Sequence, residues 1–296
     1  MFKTVYDTDF KSFGYGGMRD LGTGSLDVTG TGSGTVSEAY LFWHGPSNAA
    51  ATAAPTANAN VTFNGTAITG TFLGISSDNC WGFANSIAYR ANVTSLVTGD
   101  GTYSLDNFVK PNGIDVNGVS LVVFYDDGNT ANNRDVVMFN GNDSNINNAY
   151  DADGWNITLA GIDYTAGNAS AQFHVSDGQQ FPDAAVIGNG QTIAPAGAVF
   201  DGSTVPAGAG GAGNGSLWDI RDFSVTSLLN PGLNNLNISS SVNSDCLSCV
   251  LIAIDLPAGA APPTNNVPEP GSLALAGLAL GGLTLAKRRR KTVDQA

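Results

Sequence analysis

The chain has 296 residues, 42% of them apolar and only 12% charged, with a formal net charge of −13. That length suits one large β domain or two of ordinary size, and so little charge beside 38 glycines excludes a helical cytosolic enzyme in favour of a turn-rich extracellular β protein. Over Met1–Pro268 the imbalance steepens to seven basic residues against 23 acidic ones, a net of −16, which repels phosphate backbones, excludes nucleic acid as a partner and suits divalent cations.

The opening residues, MFKTVYDTDFKSFGYGG, contain no apolar h-region and no small-residue cleavage site, so export has to be read from the other end of the chain. Short apolar runs separated by turn signals follow. AYLFW from Ala39, VSLVVFY from Val119 and CVLIAIDL from Cys249 are almost continuously apolar, as strands covered on both faces are. ANVTFNG from Ala59 and SAQFHVS from Ser170 alternate instead, the pattern of half-buried strands. Asn-Gly begins at Asn64, Asn112, Asn117, Asn140, Asn189 and Asn214, and this dipeptide supplies the positive φ angles of tight hairpins. The expectation is an all-β fold of one or two antiparallel β-sandwich units, jelly-roll-like, followed by a Pro-rich linker and a short C-terminal transmembrane helix.

An internal echo sharpens the division. ANVTSLVTGDGTYSL followed by GVSLVVFYDD is similar to FSVTSLLNPGLNNLNI followed by CLSCVLIAIDLP, so that Val93–Leu96 recurs at Val225–Leu228, 132 residues on, and Asp126 recurs at Asp255, 129 residues on. Two related sandwich units, residues 1–128 and 129–257, or one sandwich made by duplication, would produce this. Residues 258–267 then read as linker and 268–291 as a separate tail. The order VSEAYLFWHG, VTFNGTAITG, YRANVTSLVTGDGTYSL, VSLVVFYDD also loosely resembles uncharacterised β-sandwich repeats of bacterial and archaeal surface proteins, and that resemblance implies an extracellular structural module.

Chemistry-bearing residues are few. Cys246 and Cys249 form a C-x-x-C at the start of an apolar strand, with Cys80 alone. No second pair and no histidine pair makes a zinc site of them, so in an exported chain a local Cys246–Cys249 disulfide is expected. Acidic residues concentrate between Asp126 and Asp153, and Asp151, Asp153 and Gly154 form a fragment of a calcium loop without the terminal glutamate of an EF-hand. Calcium is the one cofactor this suggests, weighed against a solvated polar loop. His44 and His174 sit in strand-like runs as structural histidines do, and no hydrolase elbow, zinc-protease helix or P-loop is present. Among the large aromatics, most of which fill sandwich cores, Trp81 and Trp155 lie in Gly- and Asn-rich surroundings and are the candidates for a sugar-stacking platform.

The tail differs from all of this. Val267, Pro268, Glu269 and Pro270 precede an uncharged run of Leu, Ala, Gly and Thr from Ser272 to Ala286, and then come Lys287, Arg288, Arg289, Arg290 and Lys291. As a helix the run spans roughly 22 Å, short of the roughly 30 Å hydrocarbon core, but flanking Lys and Arg side chains can snorkel. The basic run predicts a cytoplasmic C-terminus. This tripartite order closely resembles the PEP-CTERM sorting signal of exported proteins in Gram-negative bacteria that make exopolysaccharide. The resemblance implies recognition at Pro268, Glu269 and Pro270 by an exosortase, a membrane-embedded cysteine protease, after transient anchoring in the inner membrane. It also implies a final place at the cell surface or outside the cell, with exopolysaccharide as a partner. The body then reads as a non-enzymatic structural or adhesive protein, the alternatives being a carbohydrate-binding module and a secreted hydrolase.

Overall fold

Alternation and glycine punctuation generate strands throughout. In the computed structural model, which describes residues 1–208 and 216–261, β1 (Lys3–Tyr15), β9 (Gly118–Asp126), β3 (Thr35–Ser47), β7 (Asn85–Asn92) and β6 (Thr71–Ser76) hydrogen-bond in that order. Facing them are β2 (Gly24–Val28), β8 (Gly101–Asp106), β4 (Asn60–Phe63) and β5 (Thr66–Thr69), again in sheet order. The second half repeats the plan, with β10 (Arg134–Ser144), β17 (Ser248–Pro257), β12 (Ser170–Ser176) and β15 (Trp218–Ser224) facing β11 (Trp155–Tyr164), β16 (Gly232–Ser240), β13 (Val186–Gly188) and β14 (Gln191–Ala194). Setting β6 aside, the order of connection is the same in both halves and is that of an eight-stranded jelly roll. Matching 3-10 turns, Thr94–Leu96 and Thr226–Leu228, sit at the 132-residue offset read from the sequence.

Three of the Asn-Gly pairs make the turns expected of them. Asn64-Gly65 closes the β4–β5 hairpin and Asn189-Gly190 the β13–β14 hairpin, while Asn112-Gly113 turns the chain ahead of β9, all with positive φ at both residues. Asn117 and Asn140 do not turn the chain. Asn117 immediately precedes β9, and Asn140-Gly141 lies in the β10 bulge, where the register against β17 slips between Asn140 and Asp143. Asn214 lies outside the described residues.

The two rolls are joined by a single bent strand. Lys3–Val5 of β1 pair with β10 of the second roll, the register shifts between Val5 and Thr8, and Asp9–Tyr15 pair with β9 of the first. Asp7 has φ of 50° at this bend and its amide donates to Asp135 Oδ1 at 2.9 Å. Each sandwich has its own core: Leu41, Trp43, Phe63, Leu105 and Leu121 in the first, and Leu159, Phe173, Leu236, Ile252 and Ile254 in the second. A third core lies between the rolls, where Tyr40, Phe42, Val122 and Phe124 meet Val136, Met138, Trp218, Leu251 and Ala253. This explains the continuously apolar runs. Along AYLFW, residues 39, 41 and 43 enter the first sandwich while 40 and 42 enter the core between the rolls, so both faces of β3 are dry.

The described residues fall in one compact unit, Met1–Pro262. Ala260 and Ala261, assigned to the linker by composition, are 3% exposed in the second core, and the Ala261 amide donates to Asp135 Oδ2 at 3.0 Å. The N-terminal stretch is β1. Among the described residues no helix is long and apolar enough to cross a membrane. The helix expected over 272–286, with Val267–Pro270 and Lys287–Lys291, lies outside them.

Candidate functional site

The loops at one end of the junction between the rolls converge on a disulfide. Cys80, in the β6–β7 loop, is bonded to Cys246, just ahead of β17, with Cα atoms 6.1 Å apart. The expected Cys246–Cys249 bridge is therefore corrected, and Cys249 is a buried free thiol in the second core. The physical reason is that the segment leading into β17 is held out along the end of β10, where the Asn145 amide donates to the Leu247 carbonyl and the Leu247 amide donates to Asn145 Oδ1. Three residues of extended chain span about 10 Å, beyond the reach of about 7 Å within which two Cα atoms can be bridged.

Beside the disulfide, Trp81 is half-buried. Its Nε1–H donates to Asp177 Oδ1 at 2.7 Å, and the Arg19 guanidinium stacks 3.4 Å from the centre of its ring. Asn117 Nδ2 donates to the same Asp177 oxygen at 3.0 Å, and Asn117 Oδ1 accepts from Arg19 at 3.1 Å. Asp177 is buried with φ of 72°, and burial pushes its carboxyl well above the usual carboxylate range. Asp245 accepts from the amides of Gln179 and Cys246, yet burial, reinforced by the Asp183 charge, raises it to about 7. Burial likewise raises Asp183 and Asp219 to about 6.

A cavity of about 290 Å³ opens across the disulfide, lined from the first roll by Asn79, Cys80 and Trp81 and from the second by Gln179, Phe181, Ser244, Asp245 and Cys246. Phe181 is 51% exposed, far more than an aromatic with only a packing role. The cavity thus combines two aromatic rings, two amides, a hydroxyl and a carboxylate.

Trp155 is not a surface platform. It is 2% exposed and packs with Phe173 and Phe200 in the second core, because β11 pairing sets it opposite Ser240 with its ring turned inward. It does line, with Asp153, a separate cavity of about 550 Å³ at the end of β11 and β16. Asp151 is held by Ser76, whose hydroxyl donates to Oδ2 at 2.5 Å, and by Asn148, while Asp153 is exposed. The structure does not bring these two carboxylates together with a third ligand, since among the described residues no group of three His, Cys, Asp or Glu side chains is placed to hold a metal ion.

Both histidines are fully buried between the rolls. His44 Nδ1 lies 2.7 Å from Ser176 Oγ, His174 Nδ1 lies 2.8 Å from Ser120 Oγ, and burial lowers both to about 3, so they are neutral. Sequence reasoning missed Arg19, Asp177, Phe181 and the Cys80 pairing. The one signal available was that an odd cysteine, Cys80, sits directly beside Trp81.

These features define a tandem jelly-roll protein with a disulfide-bridged cavity among the loops at one end of the junction and its histidines locked inside. At the other end of the chain, residues 266–291 match the PEP-CTERM protein-sorting motif. The protein carries an export and sorting signal, is anchored in a membrane before processing, and has an exosortase as its membrane protease partner. No curated protein matches the chain in sequence. Two solved structures are similar at low scores. One is N-glycanase F (PNGase F), 9% identical, covering 86% of this chain and 96% of that one with a TM-score of 0.28. The other is BpGH86A, a beta-porphyranase of glycoside hydrolase family 86 from the human gut bacterium Bacteroides plebeius, 12% identical, covering 85% of this chain and 37% of that one with a TM-score of 0.23. Neither score carries an argument about activity.

Proposed function

We propose that the body is a non-catalytic structural or adhesive protein of the cell surface or extracellular matrix that holds exopolysaccharide at the disulfide-bridged cavity. The observation that carries the reading is that Trp81 and Phe181, from different rolls, line one solvent-open cavity with Asn79, Gln179 and Asp245. Sugars present apolar C–H faces and a rim of hydroxyls, and aromatic rings with planar amides and carboxylates complement both. The disulfide fixes the two loops and lowers the entropy lost on binding. A binding role rather than hydrolysis is favoured by the state of the titratable groups. Both histidines and Asp177 are sealed from solvent, His174 and Asp177 are held by internal hydrogen bonds, and His44 reaches only the buried Ser176 hydroxyl.

The test is retention of the intact chain on a panel of immobilised polysaccharides. Trp81→Ala and Phe181→Ala should each weaken retention at least tenfold without changing the melting temperature by more than a few degrees. Undiminished retention in both variants removes the cavity from the reading, and release of reducing sugar from any panel member turns the reading into a hydrolase.

A further inference from the structure

On another side of the junction, a groove of about 410 Å³ runs between β1 and β15, lined by residues of both rolls. Its polar lining is Ser12, Ser25, Asp27, Gln172, Thr204 and Asp222, and an apolar strip of Val205, Pro206 and Ile220 runs along one wall.

The orientation of Gln172 follows from what lies behind it. Ser12 Oγ–H donates to Gln172 Oε1 at 2.5 Å, and His174 Nε2 lies 3.1 Å from the same oxygen. Since His174 is neutral, Nε2–H donates to Gln172 while Nδ1 accepts from Ser120 Oγ–H. With both donors spent on Oε1, the Gln172 amide group is turned to Asp222, whose two oxygens it reaches at 3.1 and 3.4 Å. A buried chain, Ser120–His174–Gln172, thereby fixes a carboxylate at the groove. The second carboxylate, Asp27, is set by Thr102 Oγ1 at 2.6 Å.

Among the described residues no cation forms an ion pair with either of them, the ion pairs being Lys3–Glu38 and Arg134–Asp255. Arg221, next to Asp222, turns away to the carbonyls of Ala198 and Val199. Desolvation at the junction raises Asp222 above its ordinary value, which is the penalty that an incoming positive charge would relieve.

We propose that this groove binds a positively charged amino sugar, a pyranose unit bearing a free ammonium group. The ammonium pairs with Asp222 and Asp27, the Ser25 hydroxyl meets the ring hydroxyls, and the apolar strip takes the C–H edge. Ser12 Oγ–H is already given to Gln172 and Thr204 Oγ1–H to Asp219, so a lysine side chain would satisfy the carboxylates but offer nothing to the Ser25 hydroxyl, and a sugar fits better than a basic peptide. This inference takes the proposed polysaccharide setting further but rests on a different site from the disulfide cavity.

The test is calorimetric titration of the intact chain at low salt with oligo-glucosamine, its N-acetylated counterpart and oligo-glucose of the same length. Oligo-glucosamine alone should bind. Asp222→Asn should weaken it by roughly ten- to a hundredfold, the span of one charge-assisted hydrogen bond, and Ser25→Ala, which leaves the buried chain intact, by several-fold. Asp126→Asn, an exposed acid at the end of β9 that does not line the groove, and Trp81→Ala should leave it unchanged. Equal binding of the N-acetylated or glucose oligomers overturns the proposal, as does equal affinity for oligolysine or indifference to both groove variants. Loss on Trp81→Ala with none on Asp222→Asn overturns the groove while sparing the disulfide cavity.

Discussion

Replacing Cys80 by Ala removes the only covalent tie between loops of different rolls among the described residues. The bridge closes a loop with a sequence separation of 166 residues. Chain entropy for a loop of that length amounts to roughly 17 cal/mol/K, or about 5 kcal/mol at room temperature, and the realised loss is commonly about 2–4 kcal/mol. For a compact unit of this size each kcal/mol shifts the melting temperature by about 2–4 °C, so a fall of roughly 5–15 °C is expected. Urea unfolding of the oxidised intact chain, followed by tryptophan fluorescence, measures it directly. Cys249→Ala is the control: it keeps the bridge and removes only a buried thiol. If Cys80→Ala unfolds at the wild-type midpoint, or a peptide map finds Cys246 joined to Cys249, the inter-roll connectivity is refuted.

Other expectations follow from the same contacts. Asp245 has a folded pKa of about 7 against 3.8 for the free group, so the native state holds the extra proton and its contribution is present below about pH 4 and lost as pH rises through 7. Compared with wild type, Asp245→Asn should therefore gain stability at pH 8 relative to pH 5, a difference that thermal melts at the two values resolve. The comparison must be made between variants, because neutral His44 and His174 act oppositely, losing stability as pH falls below 6.5. Phe124→Ala, fully buried between the rolls and stacked on Phe10 with centroids 6.1 Å apart, should cost about 3–5 kcal/mol while unfolding remains a single transition. A separate melting step for one roll would show that the shared core does not couple them. Glu269→Ala should leave the body's stability untouched and block removal of the tail in the native host, read as intact mass in membrane and external fractions. Normal processing of that variant would count against recognition at Pro268–Pro270.

Strand content, the hairpins at Asn64 and Asn189, the doubly covered strands and the 132-residue echo were legible because they depend on local backbone preference and on alternation along a few residues. The sorting segment was legible for a similar reason, being read as a linear string. Trp155 failed because its Gly- and Asn-rich neighbours describe the preceding loop, whereas its own ring faces inward by strand register. Cys80 failed because its partner lies 166 residues away, and no local spacing reports so distant a pairing.

The sequence by itself determined that this is an acidic, strand-rich body carrying a C-terminal sorting signal, since composition, period and linear motif are properties of neighbouring residues. The tertiary structure alone decided that β1 bridges two rolls that share one topology apart from the extra strand β6, that Cys80 meets Cys246, and that Trp81 and Phe181 share a cavity while Ser12, Gln172 and Asp222 share a groove. Each of these juxtaposes residues from both halves of the chain, and such contacts come from long-range pairing and from burying the outer faces of two sheets against each other.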